Sequence, residues 1–249
     1  MPRIAWKLLA DLGHEVRTPM TGVLGMSELL LDGPLRPQQR CQVEAIRDAG
    51  EHLLRLVDDA LDLARLGEGG LRLELRPFDV RALVDGVVAL HAPAARARGL
   101  GLRADVAVAL PRWLLGDASR VRQVLDNLLG NALKFTLRGE AGVAASPGPG
   151  GDGLRLVVHD TGPGFDEAQR ERLFRRFVQG EAGLRHGGGS GLGLAISREL
   201  AQAMGGRIAM ESAPGAGARF VVDLPLPAAA PPRGRQRSSD CRKPINPRM

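Results

Sequence analysis

His14 is the first residue able to carry a reaction. It stands at the head of HEVRTP, residues 14–19. Leu12 and Val16 lie two residues to either side, so on a helix His14 points about 200° away from their apolar stripe. A histidine on a wet helix face is most simply an idle surface group. Its neighbours argue for more: Glu15 follows directly, and Thr18 sits one turn on, on the same face. A neutral imidazole is a nucleophile. An adjoining carboxylate can orient it, take its proton or stabilise the charge that develops.

A second group lies in DASRVRQVLDNLLGNALKFT, residues 117–136. Asn127, Asn131 and Lys134 fall at i, i+4 and i+7, along one side of one helix. Two carboxamides and an ammonium offer oxygens to a hard cation and positive charge to phosphate. Mg²⁺ suits such a set, because it takes few protein oxygens and keeps water and phosphate ligands. The plainer alternative is an ordinary polar helix face. Val121, Val124, Leu125, Leu128, Leu129 and Ala132 are the expected buried side.

Two glycine-rich segments follow. Asp160-Thr-Gly-Pro-Gly164 comes straight after the apolar run LRLVVH. A strand that ends in Asp and two glycines lets a ligand approach the backbone, with the carboxylate as acceptor. HGGGSGLGLAI, residues 186–196, opens an apolar helix, where backbone N–H groups can hold phosphate. It lacks the Gly-Lys-Ser/Thr of a P-loop, and no βαβ unit surrounds it as in a Rossmann fingerprint. Between them, LFRRFVQ at 173–179 sets Phe174 and Phe177 on one helix face, a core pattern. Arg176 beside them is either a phosphate contact or a solvated side chain.

These groups need elements to hold them. Leu9, Leu12, Val16, Met20, Val23 and Leu30 recur at helical steps and predict a helix over 3–32, bent at Pro19. Val43, Ile46, Leu53, Val57, Ala60 and Ala64 predict a second over 37–66. Such helices are each about 42 Å long and form an antiparallel hairpin. A lone hairpin leaves its stripes wet. A second copy, giving a four-helix bundle as a homodimer, is the expected cover, and packing on the chain's own C-terminal part is the alternative. From about residue 71 the period changes. LRLELRPFDV alternates like a strand and then caps a helix at Asp79. Helices are predicted over roughly 80–97, 117–135, 166–179 and 190–204, and strands over roughly 100–107, 139–145, 154–159, 206–212 and 218–224. SPGPGGDG between two of the strands reads as a hairpin loop. The mixture makes a layered α/β domain. The domains expected are 1–67, a helical hairpin; 72–227, an α/β domain; and 228–249, a disordered tail.

Composition narrows the functions. The chain of 249 residues is 44% hydrophobic and 25% charged, as in ordinary globular proteins. Cys41 and Cys241 stand too far apart in sequence for a disulfide framework or a cysteine metal site, so a reducing, cytoplasmic setting is expected. No run approaches roughly 18 apolar residues, so no membrane span is expected. The net charge of +6 suggests nucleic acid at first. However, Arg233, Arg235, Arg237, Arg242, Lys243 and Arg248 stand against Asp240 alone in the tail, and the rest of the chain is close to neutral. A neutral body with a basic tail is not a basic-patch binder, so nucleic acid is not an expected partner.

In order and spacing these segments resemble the catalytic core of a sensor histidine kinase, and most of all the core of hybrid kinases. HEVRTPMTGVLGMSELLL is similar to the phosphoacceptor box and NLLGNALKFT to the N box. DTGPGF, LFRRFVQG and GGSGLGLAI are similar to the first glycine, F and second glycine boxes. The likeness covers about residues 4–226. It implies a dimeric helical hairpin followed by an α/β sandwich of the gyrase and histidine-kinase superfamily. It further implies that His14 is phosphorylated by ATP, with Glu15 as acid/base partner, and that Glu15 and Thr18 serve dephosphorylation of a response regulator. Asn131 would ligate Mg²⁺, and Asn127 and Lys134 would meet the phosphates. Asp160 would read the adenine amino group beside Gly162 and Gly164. Arg176 would reach a phosphate, Gly189, Gly191 and Gly193 would carry the flexible lid and hold the phosphates, and Ser190 among them would also bind the nucleotide. The partner would be a response-regulator receiver domain.

The residues favour a kinase over a hydrolase. Gyrase-type relatives place a water-activating Glu where Asn127 stands, and Asn cannot act as a base. Two rivals remain open: a scaffold that makes no phosphohistidine, and a phosphatase gated by ATP. Gly13 departs from the family's usual Ser and lowers helix propensity by about 1 kcal/mol relative to Ala. With no sensor, span or receiver in the sequence, the input is expected from a partner protein or a missing sensor domain.

Overall fold

A computed structural model describes residues 2–67, 72–167, 169 and 191–232. Side chains are described from Gly13, with those of His14 and 62–67 outside the described set. The expected helix over 166–179 lies almost wholly outside these residues.

Helices α1 (Pro2–Leu31) and α2 (Pro37–Gly67) pack along each other as the expected hairpin. Pro19 lies within α1, and the helix runs on through it. The seam differs from the expected stripes. Val16, Met20, Leu24 and Ser27 face Val43, Gly50, Val57 and Leu61 in part or full burial. A Cβ built on Gly50 would lie 3.0 Å from both Leu24 Cδ2 and Met20 Cε. By contrast Val23, Leu30, Ile46 and Leu53 are exposed, together with Met26 and Leu29. Each helix is apolar over two faces, and only one can meet the other helix of the same chain. Helix α2 also lies beside the second part of the chain, yet Val23, Leu30, Ile46 and Leu53 remain exposed.

The second part opens with β1 (Arg76–Asp79) and α3 (Val80–Ala97). Asp79 caps α3 by accepting the Ala82 N–H at 3.1 Å. Then come β2 (Gly101–Val106), β3 (Trp113–Gly116), α4 (Ala118–Phe135), β4 (Glu140–Pro147) and β5 (Leu154–Asp160). The described chain ends with α5 (Gly193–Ala203), β6 (Arg207–Ser212) and β7 (Ala218–Leu224). Five strands form one mixed sheet in the order β2-β4-β5-β7-β6, with only the β2–β4 pair parallel. Register puts Val143, Val158 and Phe220 side by side, and Ala145, Leu156 and Val222 in the next row. All six are buried in one core with Val84 and Val87 of α3, Leu125 and Leu129 of α4, and Ile196 and Leu200 of α5. The outward face is mixed: the row of His159 and Arg219 is polar, while the row of Ala144, Val157, Val221 and Ala209 is apolar. This is the expected α/β sandwich.

Two features depart from the sequence reading. Strand β3 was not expected; it pairs antiparallel with β1 in a separate ribbon. The tail is also pinned at its start. Leu115 N donates to Pro227 O, and Ala229 N to Trp113 O, each at 2.9 Å. Residues 227–229 therefore extend the ribbon, and no part of that stretch hangs loose.

Candidate functional site

Helix α4 is held at both ends. Asp117 is buried, and its Oδ1 accepts Ser119 N and Oγ and Arg120 N, at 3.0, 2.6 and 3.2 Å. Its Oδ2 accepts Glu74 N at 3.0 Å, which ties the segment before β1 to the helix start. Burial alone would raise the Asp117 pKa, but these hydrogen bonds outweigh it and hold the carboxyl below its ordinary range. The expected inward face, from Val121 to Ala132, is buried throughout. With that side fixed in the core, Asn127, Asn131 and Lys134 are half-buried along the same side of the helix. Burial pushes the Lys134 ammonium below the ordinary lysine range.

Asp160 closes β5 beside the far end of α4. Gly162 N donates to Asp160 Oδ1 at 2.8 Å. A Cβ on Gly162 would lie 2.8 Å from that oxygen and 3.3 Å from the Phe135 carbonyl, so any larger residue would have to push the Asp160 carboxylate aside. Gly164 has φ +68°, and a Cβ there would come within 2.0 Å of Ala213 O. Ser212 Oγ accepts Phe165 N at 2.9 Å, which fastens the turn to β6. Burial raises the Asp160 pKa, and the N–H bonds from Gly162 and Ala218 only partly offset it.

At the other end of this surface Asn127 Nδ2 donates to Gly193 O at 3.4 Å. Gly191, at φ +65°, and buried Leu192 lead into α5 there. The structure thus brings the middle of α4, at Asn127, against Gly193 at the start of α5, and the end of α4, just past Lys134, beside Gly162, with Asp160 at the end of β5 before it and Gly164 after it; Asn131 lies between the two on α4. Arg176, Gly189 and Ser190 lie outside the described residues. His14, Glu15 and Thr18 lie on the hairpin and not in this cluster. His14 is placed by its α1 backbone, while Glu15 and Thr18 are exposed. Gly13 is buried, and a Cβ there would lie 2.4 Å from Leu61 Cδ1. One turn beyond His14, Arg17 bridges the helices to Asp58 at 2.6 Å.

The sequence reading passed over Arg98, whose guanidinium donates to the carbonyls of Leu133, Lys134 and Thr136 at the end of α4. Gly99, at φ +66°, marked the helix end beside it. Nothing local marked the partner 35 residues on.

An α/β sandwich with an Asn-bearing helix that ends beside an Asp-Gly turn is the layout of an ATPase domain of the histidine kinase and gyrase type. Comparison with known proteins agrees. Residues 7–69 match the His Kinase A (phospho-acceptor) domain. Residues 116–228 match the histidine kinase-, DNA gyrase B- and HSP90-like ATPase domain. The chain is 42% identical over 236 residues to the sensor histidine kinase AruS of Pseudomonas aeruginosa, covering 90% of this chain and 23% of that protein. It is 40% identical over 226 residues to the sensor protein TorS of Escherichia coli, covering 90% and 24%. The crystal structure of full-length ShkA in complex with AMPPNP has a TM-score of 0.75 and 42% identity, over 90% of this chain and 47% of that one. The chain belongs to the histidine kinase family, and it spans about a quarter of the length of these two sensor relatives. Among the described residues no helix is long and apolar enough to cross a membrane.

Proposed function

We propose that the chain is an ATP-dependent protein-histidine kinase core that phosphorylates itself on His14 and passes the phosphoryl group to an aspartate of a receiver domain. The observation that carries this reading is that Asn127, Asn131 and Lys134 lie along one side of α4, a helix whose middle meets Gly193 and whose end lies beside Gly162, next to Asp160. Asp160 offers a carboxylate to the adenine amino group, and Gly162 and Gly164 let the base approach the backbone. Asn127 and Lys134 hold phosphate oxygens. Partial desolvation strengthens the pull of the Lys134 charge there.

The Asn131 carboxamide oxygen fits Mg²⁺. No cluster of three or more His, Cys, Asp or Glu among the described residues could hold a metal by itself, so the ion would share its ligands with the phosphates. When bound it neutralises phosphate charge. The chain's own residues then act mainly by positioning. The α4 carboxamides orient the phosphates, and no carboxylate stands at Asn127 to activate water. The nucleophile is the neutral ring of His14, with Glu15 beside it to take the proton. Glu15 and Thr18 serve dephosphorylation of the receiver, in which water takes the phosphoryl group from the aspartate and inorganic phosphate leaves. The exposed Val23, Leu30, Ile46 and Leu53 are the surface for a second copy, which completes a four-helix bundle. The setting is cytoplasmic, with input from a sensor partner or sensor domain.

The test compares His14→Gln and Asn131→Ala under γ-labelled ATP and Mg²⁺. His14→Gln should lose label and keep nucleotide affinity. Asn131→Ala should lose label by weakening the Mg²⁺-dependent part of binding. Label that survives in His14→Gln overturns the acceptor assignment.

A further inference from the structure

Arg98 reaches between two helices. Its backbone N–H closes α3 on the carbonyls of Ala94 and Ala95, at 3.3 and 3.1 Å. Its guanidinium reaches the end of α4. Nη1 donates to Leu133 O, and Nη2 donates to Lys134 O and Thr136 O at 3.2 and 3.3 Å.

A helix leaves about four C-terminal carbonyls without partners inside the helix. Here each has a neighbour. Ala132 O accepts both the amide and the hydroxyl of Thr136, at 3.1 and 2.7 Å. Leu133 O and Lys134 O are on Arg98. Phe135 O faces the turn after β5, where a Cβ on Gly162 would lie 3.3 Å from it and 3.4 Å from Thr136 Oγ1. Gly162 in turn holds Asp160 Oδ1 by its N–H. The last turn of α4 therefore lies between Arg98 on one side and the seat of Gly162 beside Asp160 on the other.

We infer that Arg98 is a positioning residue for the nucleotide. It fixes the end of α4, and with it the Lys134 backbone and the seat of Gly162, relative to Asp160. This rests on the reading of that surface as the nucleotide site. Two physical effects act together. The guanidinium cation lies at the negative end of the α4 dipole. Its planar fork serves several carbonyls at once, which a lysine ammonium on a flexible stem does with less order. Arg98 is exposed and stands outside the hydrophobic core. Replacing it therefore disturbs the geometry of the helix end more than the packing.

The experiment measures the equilibrium affinity of the whole chain for a fluorescent ATP analogue, in wild type, Arg98→Ala and Arg98→Lys, alongside each thermal midpoint. Arg98→Ala should weaken binding about three- to tenfold, and Arg98→Lys should recover part of that loss. In autophosphorylation KM for ATP should rise by a larger factor than kcat falls. Unchanged affinity in Arg98→Ala overturns the inference, even if the midpoint drops. So does an affinity loss that Lys does not ease. The binding arm does not depend on His14: wild type that binds the analogue without labelling refutes the kinase reading and leaves the Arg98 test intact. Wild type that binds no analogue refutes both.

Discussion

Asn127 donates its side-chain amide to the backbone carbonyl of Gly193, 66 residues further along the chain. That bond joins the middle of α4 to the first turn of α5, the two segments expected to face the phosphates. It also makes Gly193 testable as a spacer. A Cβ on Gly193 would lie 3.5 Å from Asn127 Cγ and Oδ1, an ordinary contact. Gly193→Ala should therefore fold normally, within about 1 kcal/mol of wild type.

Gly164 should behave in the opposite way. Its positive φ and its approach to Ala213 O leave no room for a methyl group. Gly164→Ala should cost at least about 2 kcal/mol in urea unfolding, by backbone strain and displacement of the turn. Equal stability of the two alanine variants would contradict this account of the turn.

Asp160 links binding to pH. Burial raises its pKa in the folded chain above the unfolded value. Its contribution to folding is therefore full below the unfolded pKa and is lost as pH rises through the folded one. On the proposed reading adenine is held by the charged carboxylate, so nucleotide affinity should start to fall on acidification at a pH above the ordinary carboxylate range. Asp160→Asn should leave the apo thermal midpoint at or above that of wild type at neutral pH and abolish the ATP-induced shift. An apo midpoint well below wild type would show that the charge stabilises the fold.

Asp117 carries the reverse sign. Its carboxyl is held below the ordinary range, so its contribution is present above the unfolded pKa and is lost as pH falls through the folded one. Asp117→Ala removes a cap and leaves the Glu74 N–H without its acceptor. The expected loss is about 1–3 kcal/mol at neutral pH, smaller under acid, read by urea unfolding at two pH values.

Gly13 and Leu61 should be energetically coupled. Any side chain at 13 must displace the Leu61 methyl groups. In a double-mutant cycle, Gly13→Ser should destabilise wild type and do so less in a Leu61→Ala background, with a coupling of about 0.5–3 kcal/mol. Additive effects would mean that the seam yields without cost.

The sequence was legible where local chemistry matched tertiary need. Asp79 and Asp117 marked two helix starts, and the apolar side of 121–132 was the side that became buried. Asn127, Asp160 and Gly193 could be named from their motifs, because each lies at a helix or strand position that motif spacing reveals. What was missed depends on distant partners. Strand β3 has four residues and is defined by β1 and by 227–229, not by its own alternation. The hairpin stripes were read as one face each, since periodicity alone does not separate a seam within the chain from a surface for a second copy. Arg98 looked like any helix-end arginine until the fold brought α4 beside it.

The central claim is that His14 is the acceptor of the ATP γ-phosphoryl group. The most direct measurement is mass spectrometry of the chain after incubation with ATP and Mg²⁺, with digestion held at alkaline pH to preserve phosphohistidine. The account predicts one phosphoryl group on the ring of His14 and none in His14→Gln. Bound ATP with an unmodified His14, or phosphate on another residue, would contradict it.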